Sequence, residues 1–279
     1  MNQLKEMRIV LLGKTGDGKS SSGNTILGDS SSNTFQAKSS PSSVTKTCEA
    51  HMGRRAGKET SIQIIDTPGF FDTRLSEKEL VTEVFRCFTM SVPGPHAFVI
   101  VLRLGRFTEQ EIETVAKIRE YIGNDAFRYT VVLFSNGNDL DDDQTIEQFA
   151  DQSVELKELV KKCGGRCHVI DNKHWNQQHE YRSNRVQVEK LLDTIEEMVR
   201  QNGGGCYSNQ MLQLVEKQIQ DEQKKIVEEM KESISEAEIR EKAKEKVTES
   251  LIAKFGKLPL LTVLGAFLGI GLCVAKMLR

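Results

Sequence analysis

Short apolar segments and stretches with helical spacing alternate between residues 7 and 198. Four segments rich in aliphatic and β-branched residues are short enough to be buried strands: Met7–Leu12, Ile62–Ile65, Ala97–Leu102 and Tyr129–Phe134. Apolar positions with helical spacing predict helices over 21–27, 76–88, 146–162 and 186–198, and another opening at Thr108. Strands that alternate with helices indicate the α/β class, with a mainly parallel sheet covered by helices on both faces.

The pattern changes after three consecutive glycines at 203–205, where we place a domain boundary. Residues 1–205 are expected to form one domain and residues 206–256 a charged helical extension. From Tyr207 to Phe255 there is no proline or glycine, and apolar residues form a narrow stripe, which predicts a long helix or a helical hairpin. The stripe is compatible with a solvated single helix or with coiled-coil-like packing against itself or a partner.

The last segment, residues 257–279, contains the uncharged run Leu258 to Ala275, with basic residues on both sides. A helix of that length is about 27 Å long, close to the hydrocarbon thickness of a bilayer. We therefore expect a hydrophobic tail helix that anchors the chain to the cytosolic face of an intracellular membrane, without a prediction of the organelle. The alternative is a buried or interfacial helix.

The composition bears on two questions, whether the chain binds nucleic acid and whether it holds zinc. The net charge is −2 and 28% of residues are charged, so no overall field favours nucleic acid, and we expect no such partner. The six cysteines and five histidines lack the spacing typical of zinc ligands. We expect reduced thiols in a cytosolic setting.

The segment between the first predicted strand and helix matches the phosphate loop G-x-x-x-x-G-K-[ST] at every fixed position. It reads Gly13-Lys14-Thr15-Gly16-Asp17-Gly18-Lys19-Ser20. Glycines let successive N–H groups face one concavity that binds anionic oxygens, and the following helix dipole adds positive potential. Lys19 is expected to contact the β- and γ-phosphates, and the Ser20 hydroxyl to bind Mg²⁺.

A second motif, Asp66-Thr67-Pro68-Gly69, follows another predicted strand and fits the D-x-x-G pattern of GTP-binding switch proteins. Asp66 can hold Mg²⁺ through water, and the Gly69 N–H can contact a γ-phosphate and move when it leaves. Taken alone, the same four residues also fit an ordinary turn.

A third segment, Ser135-Asn136-Gly137-Asn138-Asp139, follows the strand at 129–134. Guanine specificity usually needs N-K-x-D, whose aspartate accepts hydrogen bonds from two guanine N–H groups. Asn136 and Asp139 have that spacing, but glycine stands in place of the lysine that packs over the base. An Asn/Gly/Asp turn without a binding role is the alternative. A later loop that contains Asn172 is a further candidate to close over the base.

Several of these segments resemble the GTPase of immunity-associated proteins (GIMAP) family. The similarity lies in the phosphate loop with residues 22–28, in residues 44–48, and above all in residues 93–97 and 101–109, which resemble the family's hallmark box. It covers roughly residues 7 to 205. The resemblance implies a P-loop NTPase G domain like those of septins and chloroplast import receptors. It also implies a homodimer or oligomer across the nucleotide face, possible association with related family members, and a helical extension beside the second switch.

The motifs and the resemblance together give the expected ligand residues. GTP or GDP is expected to bind Gly13, Lys14, Thr15, Gly16, Asp17, Gly18, Lys19, Ser20, Ser21, Thr45, Gly69, Asn136, Asp139 and Asn172. Mg²⁺ is expected at Ser20, Thr45 and Asp66. Thr47 is the alternative to Thr45 as the first-switch ligand. In family members that hydrolyse GTP well, a box arginine acts across the dimer, which makes Arg106, and after it Arg103, the candidate here.

Slow hydrolysis by a single copy is expected, because Phe70 stands where Ras-like enzymes have the glutamine that orients water. Two functions remain open. The chain is either a membrane-anchored switch that dimerises or oligomerises with GTP and hydrolyses it slowly, with possible stimulation in the dimer, or a GTP-binding scaffold with negligible hydrolysis.

Overall fold

The computed structural model describes residues 4–28, 35–36, 47–69, 76–105, 107–121, 124–175, 181–229 and 235–268. Its strands form one six-stranded sheet in the order β2-β3-β1-β4-β5-β6. The strands are β1 (Glu6–Leu12), β2 (Glu49–Arg54), β3 (Ser61–Asp66), β4 (Ala97–Arg103), β5 (Thr130–Ser135) and β6 (Cys167–Val169). All neighbours pair in parallel except β2, which runs antiparallel to β3 at the edge. The predicted α/β class and mainly parallel sheet are therefore confirmed.

Helices connect the strands and extend the chain beyond the sheet. They are α1 (Lys19–Leu27), α2 (Glu77–Ser91), α3 (Glu109–Tyr121), α4 (Asn124–Phe127), α5 (Ile146–Ala150), α6 (Val154–Lys162), α7 (Asn184–Gln201), α8 (Gln210–Glu229), α9 (Glu236–Phe255) and α10 (Leu260–Leu268). The pattern predicts one helix over 146–162, but the structure has two. Ser153 interrupts it, because its side chain accepts a hydrogen bond from the Leu156 N–H and starts a new helix.

The sheet lies between two hydrophobic cores, because successive side chains of a strand point to opposite faces. In β1, Ile9 and Leu11 face the core shared with α1 and α7, whereas Val10 and Leu12 face the core shared with α2 to α6 and α8 to α10. Both faces are covered, which explains why β4 and β5 are continuous apolar runs. The carboxyl ends of the five parallel strands thus lie at the same edge of the sheet, supported by the two cores.

The helical extension packs on the same face as α2. Helices α8 and α9 contact each other and both contact α2, and the Phe85 and Phe255 rings are 6.3 Å apart. The Thr89 and Thr248 hydroxyls are 2.6 Å apart and share a hydrogen bond. Of the alternatives for residues 207–255, the structure therefore shows a self-packed pair of helices rather than one solvated helix.

The start of the predicted anchor also lies against the sheet domain. Helix α10 contacts α2, α3 and α8, its Val263 and Leu264 side chains are buried, and the Leu260 N–H donates to Glu77 Oε1 at 2.9 Å. Within the described ranges, no helix combines the length and apolarity that a bilayer crossing requires. Residues 269–279 of the predicted anchor lie outside the described residues.

Candidate nucleotide-binding site

The phosphate loop joins β1 to α1 at the carboxyl edge of the sheet, beside β4. Strands β3 and β2 lie on one side of β1, and strands β4, β5 and β6 lie on the other. The strand order therefore reverses beside β1, and ligands of such sheets bind at the point of reversal. Gly18 caps α1 with φ of 86°, a left-handed conformation that L side chains adopt rarely. The helix therefore begins directly under the loop, with its N–H groups facing the cradle.

The lysine of the phosphate loop is held within the loop itself. Lys19 Nζ donates to the carbonyl oxygens of Gly13 at 3.1 Å and Lys14 at 3.0 Å, and the side chain is buried. These contacts fold the side chain back along the backbone of the phosphate loop. The contact of Lys19 with the β- and γ-phosphates stays a prediction.

The two described residues of the predicted Mg²⁺ site lie together. Ser20 Oγ, in the first turn of α1, is 2.5 Å from Asp66 Oδ2 at the end of β3. A hydroxyl and a carboxylate oxygen are the hard ligands that Mg²⁺ prefers, and Mg²⁺ in nucleotide sites takes few protein ligands besides phosphate and water. The donor set therefore fits this ion. Thr45, the third predicted ligand, lies outside the described residues.

The glycine of the second motif touches the phosphate loop. A Cβ on Gly69 would lie 2.5 Å from Thr15 Oγ1 and 2.6 Å from the Thr15 backbone nitrogen, closer than real Cβ atoms approach. Only glycine fits between the two segments without displacement. Gly69 thus lies against the phosphate loop, and its contact with a γ-phosphate stays a prediction.

A salt bridge that the sequence did not reveal connects the phosphate loop with α3, the helix that follows the family box. Lys14 Nζ donates to Glu111 Oε1 on α3, while Glu111 Oε2 accepts from the Thr108 N–H at 3.1 Å. Partial burial opposes ionisation of Glu111, but the hydrogen bonds from Lys14 and Thr108 outweigh it and lower its pKa to about 2. Glu111 lies three residues after Thr108, which is the spacing of a helix capping box, and only the structure shows its second contact, with Lys14.

An acidic side chain lies inside the anion-binding loop. Asp17 is buried, and this desolvation raises its pKa to about 6, although Lys14 and Lys19 act in the opposite direction. Ser135 Oγ at the end of β5 donates to the Asp17 carbonyl oxygen at 2.7 Å. The phosphate loop is therefore attached to the segment predicted to read the base.

Two loops form the base side of the site. Asn136 adopts φ of 61°, the Gly137 N–H donates to the Ile170 oxygen at 2.9 Å, and the Asn138 N–H donates to Asp171 Oδ2 at 2.9 Å. Burial acts to raise the pKa of Asp171, but backbone N–H donors, including that of Asn138, outweigh it and lower the pKa. The carboxylate of Asp171 therefore stays charged and holds the two loops together.

The structure gives Asn172 a partner on α1. Thr25 Oγ1 donates to Asn172 Oδ1 at 2.7 Å, and Asn172 Nδ2 lies 3.4 Å from Ser22 Oγ. A Cβ on Gly18 would lie 3.4 Å from Asn172 Nδ2. Asn172 thus joins the base side to α1, close to Ser21, whose carbonyl oxygen lies 3.0 Å from Thr25 Oγ1.

Two further predicted residues, Asp139 and Arg103, are exposed. Asp139 ends a short 3-10 turn (Gly137–Asp139) and is exposed, so its carboxylate is accessible to a ligand. Arg103 is exposed at the end of β4, whereas Arg106 lies outside the described residues. Trp175, which the sequence did not suggest, is buried directly over Gly137.

Known proteins that are similar in sequence and fold show which family this chain belongs to. The model of the AIG1 family matches residues 7–230. The chain belongs to the AIG1 family. It is 36% identical over 208 residues to immune-associated nucleotide-binding protein 10 of Arabidopsis thaliana, across 73% of this chain and 43% of that protein. It is 32% identical over 207 residues to GTPase IMAP family member 8 of Homo sapiens, across 74% of this chain and 30% of that protein. The predicted relationship to the GIMAP family is thus confirmed.

The match spans less than half the length of these two relatives. Among solved structures, Toc33 from Arabidopsis thaliana in complex with GDP and Mg²⁺ aligns with a TM-score of 0.52 at 17% identity, over 71% of this AIG1-family chain and 86% of Toc33. A further solved structure aligns with a TM-score of 0.52 at 16% identity, over 70% of this chain and 83% of the other. It belongs to work on the chloroplast translocon components atToc33 and psToc159, for whose GTPase activity dimerisation is important. At these identities the likeness shows the G-domain fold alone.

Proposed function

We propose that this chain is a guanine-nucleotide-binding protein that holds GTP or GDP together with Mg²⁺ at the carboxyl edge of its sheet. The observation that carries the proposal is the convergence of Lys19, Ser20, Asp66 and Gly69 around one backbone cradle. The family membership and the GDP and Mg²⁺ bound to the similarly folded Toc33 support it.

Each group of the cradle has a defined task in this proposal. Backbone N–H groups of the phosphate loop and α1 bind phosphate oxygens, and Lys19 balances their charge. Mg²⁺, held by Ser20 and through water by Asp66, would neutralise charge on the β- and γ-phosphates. Asp139 accepts from the guanine N–H groups, and Gly69 responds to the γ-phosphate.

Calorimetry with GDP, GTP and ATP in the presence of Mg²⁺ tests this proposal. We expect binding of GDP and GTP, and weaker binding of ATP because adenine offers no matching pair of N–H groups to Asp139. No heat with either guanine nucleotide would end the proposal. Equal affinity for ATP would leave a nucleotide site without guanine specificity.

We further propose that the chain dimerises or oligomerises across its nucleotide face in the GTP state, with itself or with related family members. Phe70 follows Gly69 in the sequence and supplies no group to orient water, so a single copy hydrolyses slowly. Arg103 is exposed beside the site, and Arg106 follows it in the family box; either guanidinium could stabilise transition-state charge in a partner's site.

Turnover measured against protein concentration separates the two modes of action. A rise in GTP hydrolysed per chain indicates activation in trans, and Arg106→Ala should then lower it more than Arg103→Ala. Flat and negligible turnover at every concentration favours the alternative, a GTP-binding scaffold.

The membrane segment is the last part of the proposal. Its support is the uncharged run from Leu258 to Ala275, and we place the chain on the cytosolic face of an intracellular membrane. Because Val263 and Leu264 are buried against the G domain, insertion of this segment into a bilayer requires α10 to leave that surface. Deletion of 257–279 should move the protein to the soluble fraction, and continued sedimentation with membranes would contradict the anchor.

A further inference from the structure

Trp175 fills the space in which the usual lysine of the base-recognition motif would begin. A Cβ on Gly137 would lie 2.6, 2.8 and 3.0 Å from Trp175 Cη2, Cζ2 and Cζ3. The indole is 4% exposed, and its ring lies edge-on to Tyr181 with centroids 6.4 Å apart. A rigid, buried ring cannot move aside at low cost. Any side chain at position 137 therefore competes directly with Trp175.

The segment that carries Trp175 is fixed to the base-recognition turn at several points. The Gly137 N–H donates to the Ile170 carbonyl oxygen, and the Asn138 N–H donates to the Asp171 carboxylate. These two acceptors lie five and four residues before the tryptophan in the chain. The Trp175 carbonyl oxygen accepts from the Asn184 N–H at 2.9 Å, which fixes the far end of the segment to α7. The ring thus lies on a supported loop and presses against the turn that ends at Asp139.

We propose that Trp175 is the residue that positions Asp139 for guanine, in the place of the missing lysine. This inference rests on the proposed binding of guanine nucleotides. The indole braces the turn at Gly137 so that the exposed Asp139 carboxylate stays in reach of the guanine N1–H and 2-amino groups. The glycine at position 137 then leaves the space that Trp175 occupies, and its presence in place of lysine does not abolish guanine recognition.

Inosine diphosphate provides the probe, because hypoxanthine lacks only the 2-amino group that Asp139 would bind. In the full chain we expect GDP to bind at least about tenfold more tightly than inosine diphosphate, since a site built for a donor rejects an analogue without it. Restoring the lysine with Gly137→Lys should displace the indole and bring this ratio close to one. Affinity for inosine diphosphate, which depends on the phosphate loop, should change much less.

A double-substitution cycle tests the match between the two positions. Trp175→Ala alone should also reduce the GDP preference, whereas Gly137→Lys with Trp175→Ala should recover part of it, because the lysine stem then has room. Trp175→Phe should keep most of the preference. If Gly137→Lys leaves the ratio unchanged, or if the effects of the two single substitutions simply add, Trp175 only fills the core and the inference is wrong.

Fluorescence keeps the inference testable if the substituted chains do not fold. Trp175 is the only tryptophan in the chain, so the emission of the unmodified protein reports on this site alone. GDP should change its emission, and inorganic pyrophosphate, which has no base, should not. Equal responses to both ligands would overturn the inference. Absence of GDP binding by calorimetry would instead overturn the proposed function.

Discussion

The phosphate side of the site is built from backbone and from neighbours in the chain, whereas the base side is assembled from distant segments. On the phosphate side, Lys19 folds onto carbonyl groups five and six residues earlier. On the base side, Asn172 reaches α1 across 147 residues of sequence, and Trp175 covers Gly137. Phosphate binding therefore follows from a local motif, whereas base selection depends on how separate loops pack together.

The largest effect is expected on the phosphate side, from Lys19→Ala. The substitution removes a charge that faces the phosphates and two hydrogen bonds that shape the loop. Because hydrogen bonds to charged groups contribute about 1.5–3 kcal/mol each, affinity should fall by about 100-fold or more. Calorimetry with GDP and Mg²⁺ measures this loss of affinity.

Lys58→Ala is the matched control for Lys19→Ala, since Lys58 bonds Glu196 on α7 at 3.0 Å, away from the cradle. It should leave the affinity unchanged. If the Lys19 variant kept the affinity of the unmodified chain, the phosphate side would not depend on its local motif in the way proposed.

A smaller loss of affinity, but a change of specificity, is expected on the base side from Asp139→Asn. An amide offers a donor where the carboxylate offered only acceptors, so the variant should lose roughly tenfold or more for GDP and gain affinity for xanthosine diphosphate. Competition between the two nucleotides measures the change. The exposed neighbour Asp143 supplies the control, Asp143→Asn, which should behave like the unmodified chain. Unaltered preference in the Asp139 variant would show that another group reads the base.

Gly69→Ala should weaken the binding of GTP more than the binding of GDP. The added Cβ would meet Thr15 at 2.5 Å, so the two segments must move apart and the contact to a γ-phosphate is lost. We expect roughly tenfold weaker binding of a non-hydrolysable GTP analogue and a smaller change for GDP, as the γ-phosphate alone depends on this contact. Gly205→Ala, where nothing lies within 4 Å of the added Cβ, is the control. Equal losses for both nucleotides would indicate general damage to the loop instead.

The elements around the phosphate side can be predicted from the sequence, because they depend on local patterns. The strands at β1, β3, β4 and β5 and the phosphate loop follow from apolar runs and a local motif, and the structure confirms the parallel sheet they imply. Strand β2 was not predicted, because Glu49–Arg54 contains few apolar residues and is held by pairing to β3 at the sheet edge.

On the base side, the sequence predicts the candidates Asn136, Asp139 and Asn172 but not what holds them. Asp171 and Trp175 lie more than 30 residues after the turn that they support, and no local pattern joins the two segments. Their role comes from the parallel pairing of β5 with β6, which places the two loops side by side. Likewise, Glu111 has the pattern of a helix cap, and its contact with Lys14 depends on the tertiary packing of α3.

The smallest predicted effect is a dependence on pH that only the phosphate side should show. Burial raises the pKa of Asp17 from 3.8 to about 6, so the folded chain holds this proton more tightly than the unfolded chain does. The stability that this proton contributes is therefore present at low pH and is lost as the pH rises through this interval. On the base side, the pKa of Asp171 is lowered, so that carboxylate stays ionised throughout.

An ionised Asp17 beside the phosphates should also weaken nucleotide binding as the pH rises from about 5 to about 7, by a few-fold and at most about tenfold. Asp17→Asn removes the titrating group and should bind GDP as tightly at the higher pH as at the lower, apart from the titration of the phosphates themselves. Calorimetry of both chains across this interval isolates the difference, because the nucleotide's own titration is common to both. Parallel pH profiles for the two chains would show that the Asp17 carboxyl does not act on the phosphates, and that the phosphate side depends on its backbone and on Lys19 alone.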